Sequence, residues 1–488
     1  MIESASLKKN IVFNTIYNIS NIVFPLITFS YVSRMLTVEL IGRVSFFSTI
    51  SNYAIMLASL GISSYGIRAV AQRRDNKKEL SKTSKELFYI NCFATVIVLL
   101  GIVMLSLFVD KLKEDKTLLS LNCLLIAVAP LGMNWFFSGL EAYDYITKRN
   151  LIVKVSSLFF ILFFVESEKD YLYYAAALVF SSAIAYIYNF VYANNYLEKD
   201  HYVYDFKRHF RPMLYLFASI LAINIYTHLD TVMLGFISGD KQVGLYTIAV
   251  YVKTGLLTLI NSVSVVLFPR ISFYFIKNDI ASANKLLQKS SIFIAFIAIP
   301  LTVFSIYEAP NIIIFLGGNG FIEATFCMQI IMPILLISGL SNITGNQILI
   351  PLGKENCFMK AVISGSVINL MFNFLLMPKY GAVGAAIATL IAEFTQMSIQ
   401  VSYAYYHLKD NFKIISIMKL LLASLASLLI IILLPSSKIL NNAIIDIIIS
   451  WMVFIFFYFI FVLMIKDSTI NSLVKEFVLS ISMRFHRE

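Results

Sequence analysis

A few polar and charged side chains lie deep inside apolar sequence, and these are the positions where chemistry is possible. Lys253 falls in the middle of the apolar stretch 243–268, too deep for its ammonium to reach water easily. An ionised side chain at mid-bilayer costs about 2.5–3.5 kcal/mol on insertion scales. Lys253 can offset this by holding an anionic ligand, or by pairing with Asp230. Asp230, within His228-Leu229-Asp230-Thr231, can bind a coupling cation or neutralise Lys253. His228 stands about 200° round a helix from Asp230, so it reads either as a hydrogen-bonding core residue or as a separate ligand contact. Glu393 can relay a proton or accept from sugar hydroxyls, and Glu308, at the end of an apolar stretch, is expected to be solvated. Arg34, Arg43 and Arg68 flank the apolar stretches. A guanidinium fork matches phosphate well, but anchoring at a membrane surface accounts for these three equally simply. The run Arg73-Arg74-Asp75-Asn76-Lys77-Lys78 reads as a basic loop that can also touch anionic lipid.

Uncharged polar residues recur at helical spacing. Asn14, Asn18, Asn21, Pro25 and Thr28 step by 4, 3, 4 and 3, and Asn224, His228 and Thr231 by 4 and 3. Thr389, Glu393, Gln396, Gln400, Tyr403 and His407 share one face of a later stretch. Such rows are costly against lipid; they suit hydrogen bonding between helices or the wall of a water-filled cavity.

Catalytic signatures are missing. Gly317-Gly318-Asn319-Gly320 lacks the lysine of a phosphate-binding loop and reads as a turn. The five histidines form no HExxH, and there is no GxSxG. Cys92, Cys123, Cys327 and Cys357 are far apart, with no CxxC, so neither a metal site nor a redox pair is suggested. The chain is therefore expected not to be an enzyme and to need no cofactor beyond a possible Na+ or H+ coupling ion.

The elements that must position these residues follow from composition. Of the 488 residues, 59% are hydrophobic and 14% charged, where a soluble domain carries about a quarter charged. A membrane helix needs about 20 apolar residues, and this measure yields about fourteen spans. They lie near 11–33, 43–63, 86–109, 118–139, 150–166, 172–197 and 213–237, then 243–268, 290–309, 324–350, 358–377, 382–407, 416–434 and 444–465. The fifth is short. Lys and Arg number 29 on the side shared by both termini and 9 on the other, which places both termini in the cytoplasm. The net charge of +11 then reflects loop bias and not nucleic-acid binding. No leader pattern opens the chain, so span one is expected to be retained. Loops on both sides are too short for a folded catalytic domain.

Arg34-Met35-Leu36 followed by Ile41-Gly42-Arg43-Val44 is echoed by Met233-Leu234-Gly235 followed by Val243-Gly244-Leu245-Tyr246. Six spans separate these hairpins, so the echo suggests a parallel repeat. The expected organisation is a six-helix lobe over 1–200, a second over 211–410, and two added helices with a cytoplasmic tail over 411–488.

Several segments resemble one family. They are Tyr65-Gly66-Ile67-Arg68-Ala69-Val70-Ala71 before a basic stretch, and Asn134-Trp135-Phe136-Phe137-Ser138-Gly139-Leu140-Glu141 with Tyr145-Ile146 and Arg149-Asn150. Leu229-Asp230-Thr231-Val232-Met233-Leu234-Gly235 before Val243-Gly244-Leu245-Tyr246, Phe268-Pro269-Arg270, and Tyr380-Gly381-Ala382-Val383-Gly384-Ala385-Ala386 complete the set. In this order they resemble Wzx-type polysaccharide repeat-unit flippases; Asn134 departs from the pattern, where an aspartate is common. The resemblance implies a member of the multidrug/oligosaccharidyl-lipid/polysaccharide exporter superfamily, all-α and MATE-like, with two six-helix lobes around a central cavity. It further implies transfer of undecaprenyl-diphosphate-linked oligosaccharide (O-antigen, capsule or exopolysaccharide units) between leaflets of a bacterial plasma membrane, without ATP. Expected partners are that lipid-linked substrate, membrane lipids, and a polymerase or other assembly proteins. Diphosphate contacts fall to Lys253, Arg34, Arg43 and Arg68. Sugar contacts are expected from Asn14, Asn18, Asn21, Asn224 and His228, and ion coupling from Asp230 or Glu393. A MATE-like cation-coupled multidrug antiporter is the alternative.

Overall fold

The computed structural model describes residues 7–408, 413–433, 443–465 and Asp467; some side chains inside helices, those of 222–228 among them, fall outside the described residues. The described chain is helical, with no strand among the described residues. Its first half runs α1 (Leu7–Met35), α2 (Val38–Ser59), α3 (Ile62–Ala71), α4 (Lys77–Phe108), α5 (Asp110–Lys113), α6 (Lys116–Val128), α7 (Asn134–Gly139), α8 (Tyr143–Phe164), α9 (Tyr171–Asn194) and α10 (Lys207–Ile237). Then follow α11 (Asp240–Ile276), α12 (Ile280–Tyr307), α13 (Ala309–Gly317), α14 (Ala324–Ile331), α15 (Ile334–Asn342), α16 (Glu355–Leu408), α17 (Ile414–Leu433) and α18 (Ala443–Met464). A π-helical turn, Ile343–Leu349, continues α15.

Short polar residues start the helices where orphan N–H groups need an acceptor. Leu40 N donates to Thr37 Oγ1 at 3.3 Å, Glu79 N to Asn76 Oδ1 at 3.1 Å, and Leu118 N to Asp115 Oδ1 at 2.9 Å. Eleven helical segments among the described residues are long and apolar enough to cross a membrane. That number takes α16 once and leaves out α8 and α10, so all fourteen expected spans have a helical counterpart. The protein is an all-α integral membrane protein.

A straight helix of the 54 residues of α16 would be about 80 Å long at 1.5 Å per residue, far beyond the roughly 30 Å hydrocarbon layer. Gly381, at φ 52° and ψ −126°, breaks it. A Cβ placed on Gly384 would lie 2.6 Å from the carbonyl oxygen of Leu376, so the chain folds back there into two limbs. The fifth span is a correction: α8 is a full 22 residues starting at Tyr143, and it takes Lys148 and Arg149, which precede the expected span, into the helix. A second correction is Glu308, which is 1% exposed and accepts from Asn311 Nδ2 at 2.7 Å.

The chain divides into two compact units, Met1–Gly244 and Leu245–Glu488. In the first, α2 packs on α4, α6 and α10, and α8 lies between α1 and α9. Its apolar core gathers Ile62, Val70, Leu87, Phe136, Phe137 and Met213. The echoed glycines come together elsewhere in this unit. A Cβ on Gly42 would stand 1.8 Å from the carbonyl oxygen of Asp240, and one on Gly244 would stand 2.2 Å from that of Val38. Each hairpin thus presses its backbone against the other, and only glycine leaves room. In the second unit α12 packs on α15 and α17, and α17 on α18. Ile292, Ala295, Ile299, Leu420, Ala423 and Tyr458 fill that interface.

Candidate functional site

The first helix has two exposed faces. At about 100° per residue, exposed Val12, Ile16, Ile19, Val23 and Ile27 fall on one face. Exposed Asn14, Asn18, Asn21 and Pro25, with buried Thr28, fall on the opposite one. The apolar face suits acyl chains; the amides then point away from them. Helix α8 packs between the two faces. Its Thr147 Oγ1 donates to Phe13 O at 2.9 Å, Asn150 Nδ2 to Asn21 Oδ1 at 3.2 Å, and Lys154 Nζ to Asn21 Oδ1 at 2.5 Å. Lys154, which has no carboxylate within ion-pair distance among the described residues, therefore adds a cation to the row of amides. Thr147, Asn150 and Lys154 step by 3 and 4, a spacing that could have revealed them had the helix start been placed earlier.

Beside this row lies a buried polar knot. Arg149 Nη1 donates to Asn134 Oδ1 at 3.2 Å and to Asn189 Oδ1, and Tyr145 OH donates to Asn189 Oδ1 at 2.9 Å. Asn189 Nδ2 donates to Asn134 Oδ1 at 3.0 Å and to the carbonyl of Gly132. The knot ties α7, α8 and α9 together.

The expected phosphate contacts diverge. Arg34 is exposed and donates to Ser30 O and, at 2.8 Å, to Ser30 Oγ on its own helix, as an anchor does. Arg68 is exposed at the end of α3. Arg43 is engaged elsewhere: its Nε meets Asp240 Oδ2 at 2.9 Å, and Lys111 Nζ meets Asp240 Oδ1 at 2.8 Å. Burial by itself would lower the pKa of Lys111, but its bonds to Asp240 and Glu114 hold it above the ordinary value. Asp230 is 2% exposed and lies within electrostatic reach of Tyr53 on α2. The side chains of Asn224 and His228 fall outside the described residues.

At another end of the first unit Glu86 and His209, both fully buried, bond Oε2 to Nε2 at 2.8 Å. Arg208 Nη2 also donates to Glu86 Oε2, at 2.6 Å, Asp205 N donates to Glu86 Oε1 at 2.7 Å, and Tyr65 OH meets His209 Nδ1 at 2.8 Å. The cluster joins α3 and α4 to the start of α10. Nothing in the spacing announces it, because its members are far apart in sequence.

In the second unit Lys253 is half-buried on α11 and makes no hydrogen bond or ion pair among the described residues, with buried Cys327 in electrostatic range. Glu393 lies on the second limb of α16, largely buried. In its row, Thr389 meets Tyr246 OH at 3.1 Å, and Gln400 Oε1 accepts from Ser341 Oγ at 2.8 Å and Thr344 Oγ1 at 2.7 Å. For these residues hydrogen bonding between helices is what the row does. Tyr403, by contrast, is exposed.

A helical membrane protein whose polar rows lie opposite lipid-suited faces has the build of a transporter, and solved structures share its fold. The lipid II flippase MurJ, in an inward closed conformation, superposes with a TM-score of 0.73 at 18% identity, over 94% of this chain and 100% of that one. An inward-facing multidrug resistance MATE family transporter of the MOP superfamily gives 0.57 at 13% identity, over 79% and 94%. The chain belongs to the polysaccharide biosynthesis protein family, which it matches over residues 7–275. A relative in Escherichia coli (strain K12), named "Putative O-antigen transporter", is 24% identical over 404 residues, 82% of this chain and 96% of its own.

Proposed function

We propose that this protein is a flippase that moves undecaprenyl-diphosphate-linked oligosaccharide units from the cytoplasmic to the outer leaflet of a bacterial plasma membrane. It works by alternating access, hydrolyses no ATP and catalyses no bond change. The observation that carries this reading is the first helix, whose amide face, opposite its apolar face, is bonded to Lys154 of α8. Sugar hydroxyls stripped of water are costly to bury; a row of amides replaces that water while the lipid tail stays among acyl chains. The cation at Lys154 suits a diphosphate; Lys253, in the second unit, is a separate candidate for the same chemistry. Family membership and the flippase fold support the same cargo class. Coupling to Na+ or H+ through Asp230 or Glu393, and both termini in the cytoplasm, complete the proposal.

Deleting the gene in its host tests it. Lipid-linked glycan is expected to accumulate on the cytoplasmic face, and an undiminished supply of glycan at the outer leaflet would refute it. The shared fold with a MATE transporter leaves a drug antiporter as the rival. That reading requires cation-dependent dye efflux by purified protein in vesicles, with lipid-linked glycan traffic unchanged.

A further inference from the structure

The buried knot around Arg149 contains a charge with no countercharge. Arg149 is 8% exposed, and among the described residues it has no carboxylate within ion-pair distance. Its neighbours are amide oxygens and tyrosines: Tyr145, which hydrogen-bonds it and whose ring centroid lies 6.0 Å from the guanidinium carbon, with Tyr17 in electrostatic reach. Its Nε is buried and finds no acceptor. Trp135, next in sequence to the Asn134 that accepts from Arg149, is 6% exposed, and its indole Nε1 is a second buried donor without an acceptor. A cavity of about 210 Å3 lies against the knot, with Gly132, Asn134, Trp135, Tyr186, Asn91 and Ser63 in its lining. Tyr186 is also within electrostatic reach of Arg149. The cavity would hold about seven waters at 30 Å3 each, enough for a hydrated oxyanion.

Two orphan donors, one on an uncompensated guanidinium, are complementary to an acceptor that carries negative charge. Neutral amides satisfy part of the arginine's fork but leave its charge unbalanced. We propose that Arg149, Trp135 and Asn134 form an anion site inside the first unit for a phosphate-bearing group, separate from the amide face of α1. It takes its ligand through the cavity, with Arg149 supplying charge and Trp135 a fixed donor. The site stands whatever the transported cargo is, since it concerns binding and not transport.

The chain has two tryptophans, Trp135 and Trp451, so the full-length Trp451→Phe protein reports from the site alone. Its emission is followed in detergent against sodium pyrophosphate at constant ionic strength, and again in phosphatidylcholine nanodiscs without and with phosphatidylglycerol. A saturable change in Trp135 emission is expected with one of these probes. Response to pyrophosphate identifies a soluble or diphosphate source, and response to phosphatidylglycerol a bilayer headgroup. Asn134→Asp, added to Trp451→Phe, places a carboxylate at the 3.2 Å contact and supplies the missing countercharge in place. It should weaken binding at least tenfold while melting no lower than its parent. Arg149→Gln should weaken it equally. Emission unmoved by both probes, or moved alike in the Asn134→Asp protein, overturns the proposal.

Discussion

Lys253 shows how one residue's setting dictates its test. It stands half-buried in a span with no hydrogen bond or ion pair among the described residues, and a membrane lysine in that position needs a ligand or water to offset its desolvation. Lys253→Ala is expected to cut glycan export at least tenfold, about 1.4 kcal/mol of binding, while leaving membrane insertion intact. Surface glycan quantified beside protein levels in membranes checks this, and normal export would remove Lys253 from the site. Glu393 is set differently. It is largely buried in a row where Thr389 and Gln400 bond across helices. If it is the coupling group, Glu393→Gln abolishes the dependence of transport on an imposed proton or Na+ gradient. Transport that tracks both gradients as before would leave Glu393 a packing residue. Arg43 differs again, since its Nε is paired with Asp240.

Elements approach each other closely at the echoed hairpins. Gly42 and Gly244 each lie against the other hairpin's backbone, and Arg43 and Lys111 bind Asp240 at the same junction. A side chain at position 42 would have to push the start of α11 away from α2. Overpacking of this kind costs typically 1–3 kcal/mol, and backbone atoms yield less than side chains. Gly42→Val is therefore expected to lower the melting temperature of the purified protein by several degrees. A melting curve that superposes on the parent's would contradict the close approach. The hairpin in α16 rests on a similar requirement, since Gly381 holds a positive φ that a β-carbon resists.

For the whole molecule, the proposed cytoplasmic placement of both termini rests on the even number of expected spans and on the Lys/Arg bias of the sequence. Green fluorescent protein fused at either end should fluoresce and alkaline phosphatase fused there should stay inactive; an active phosphatase at the C-terminus would reverse the assignment. Apolar run length and charge asymmetry made the class and span count readable, because a bilayer imposes both on every span independently of its neighbours. The Asn row of α1 was legible for the same reason, as one helix's periodicity. Contacts between helices were not. Glu86 finds His209, and Lys154 finds Asn21, only once distant segments pack, and in sequence Arg149 looked like a loop charge because charge is usually what ends a span. Periodicity determines which side of a helix is polar; packing decides what that side meets, and whether a buried charge finds a countercharge or, as at Arg149, is left with amides and a cavity.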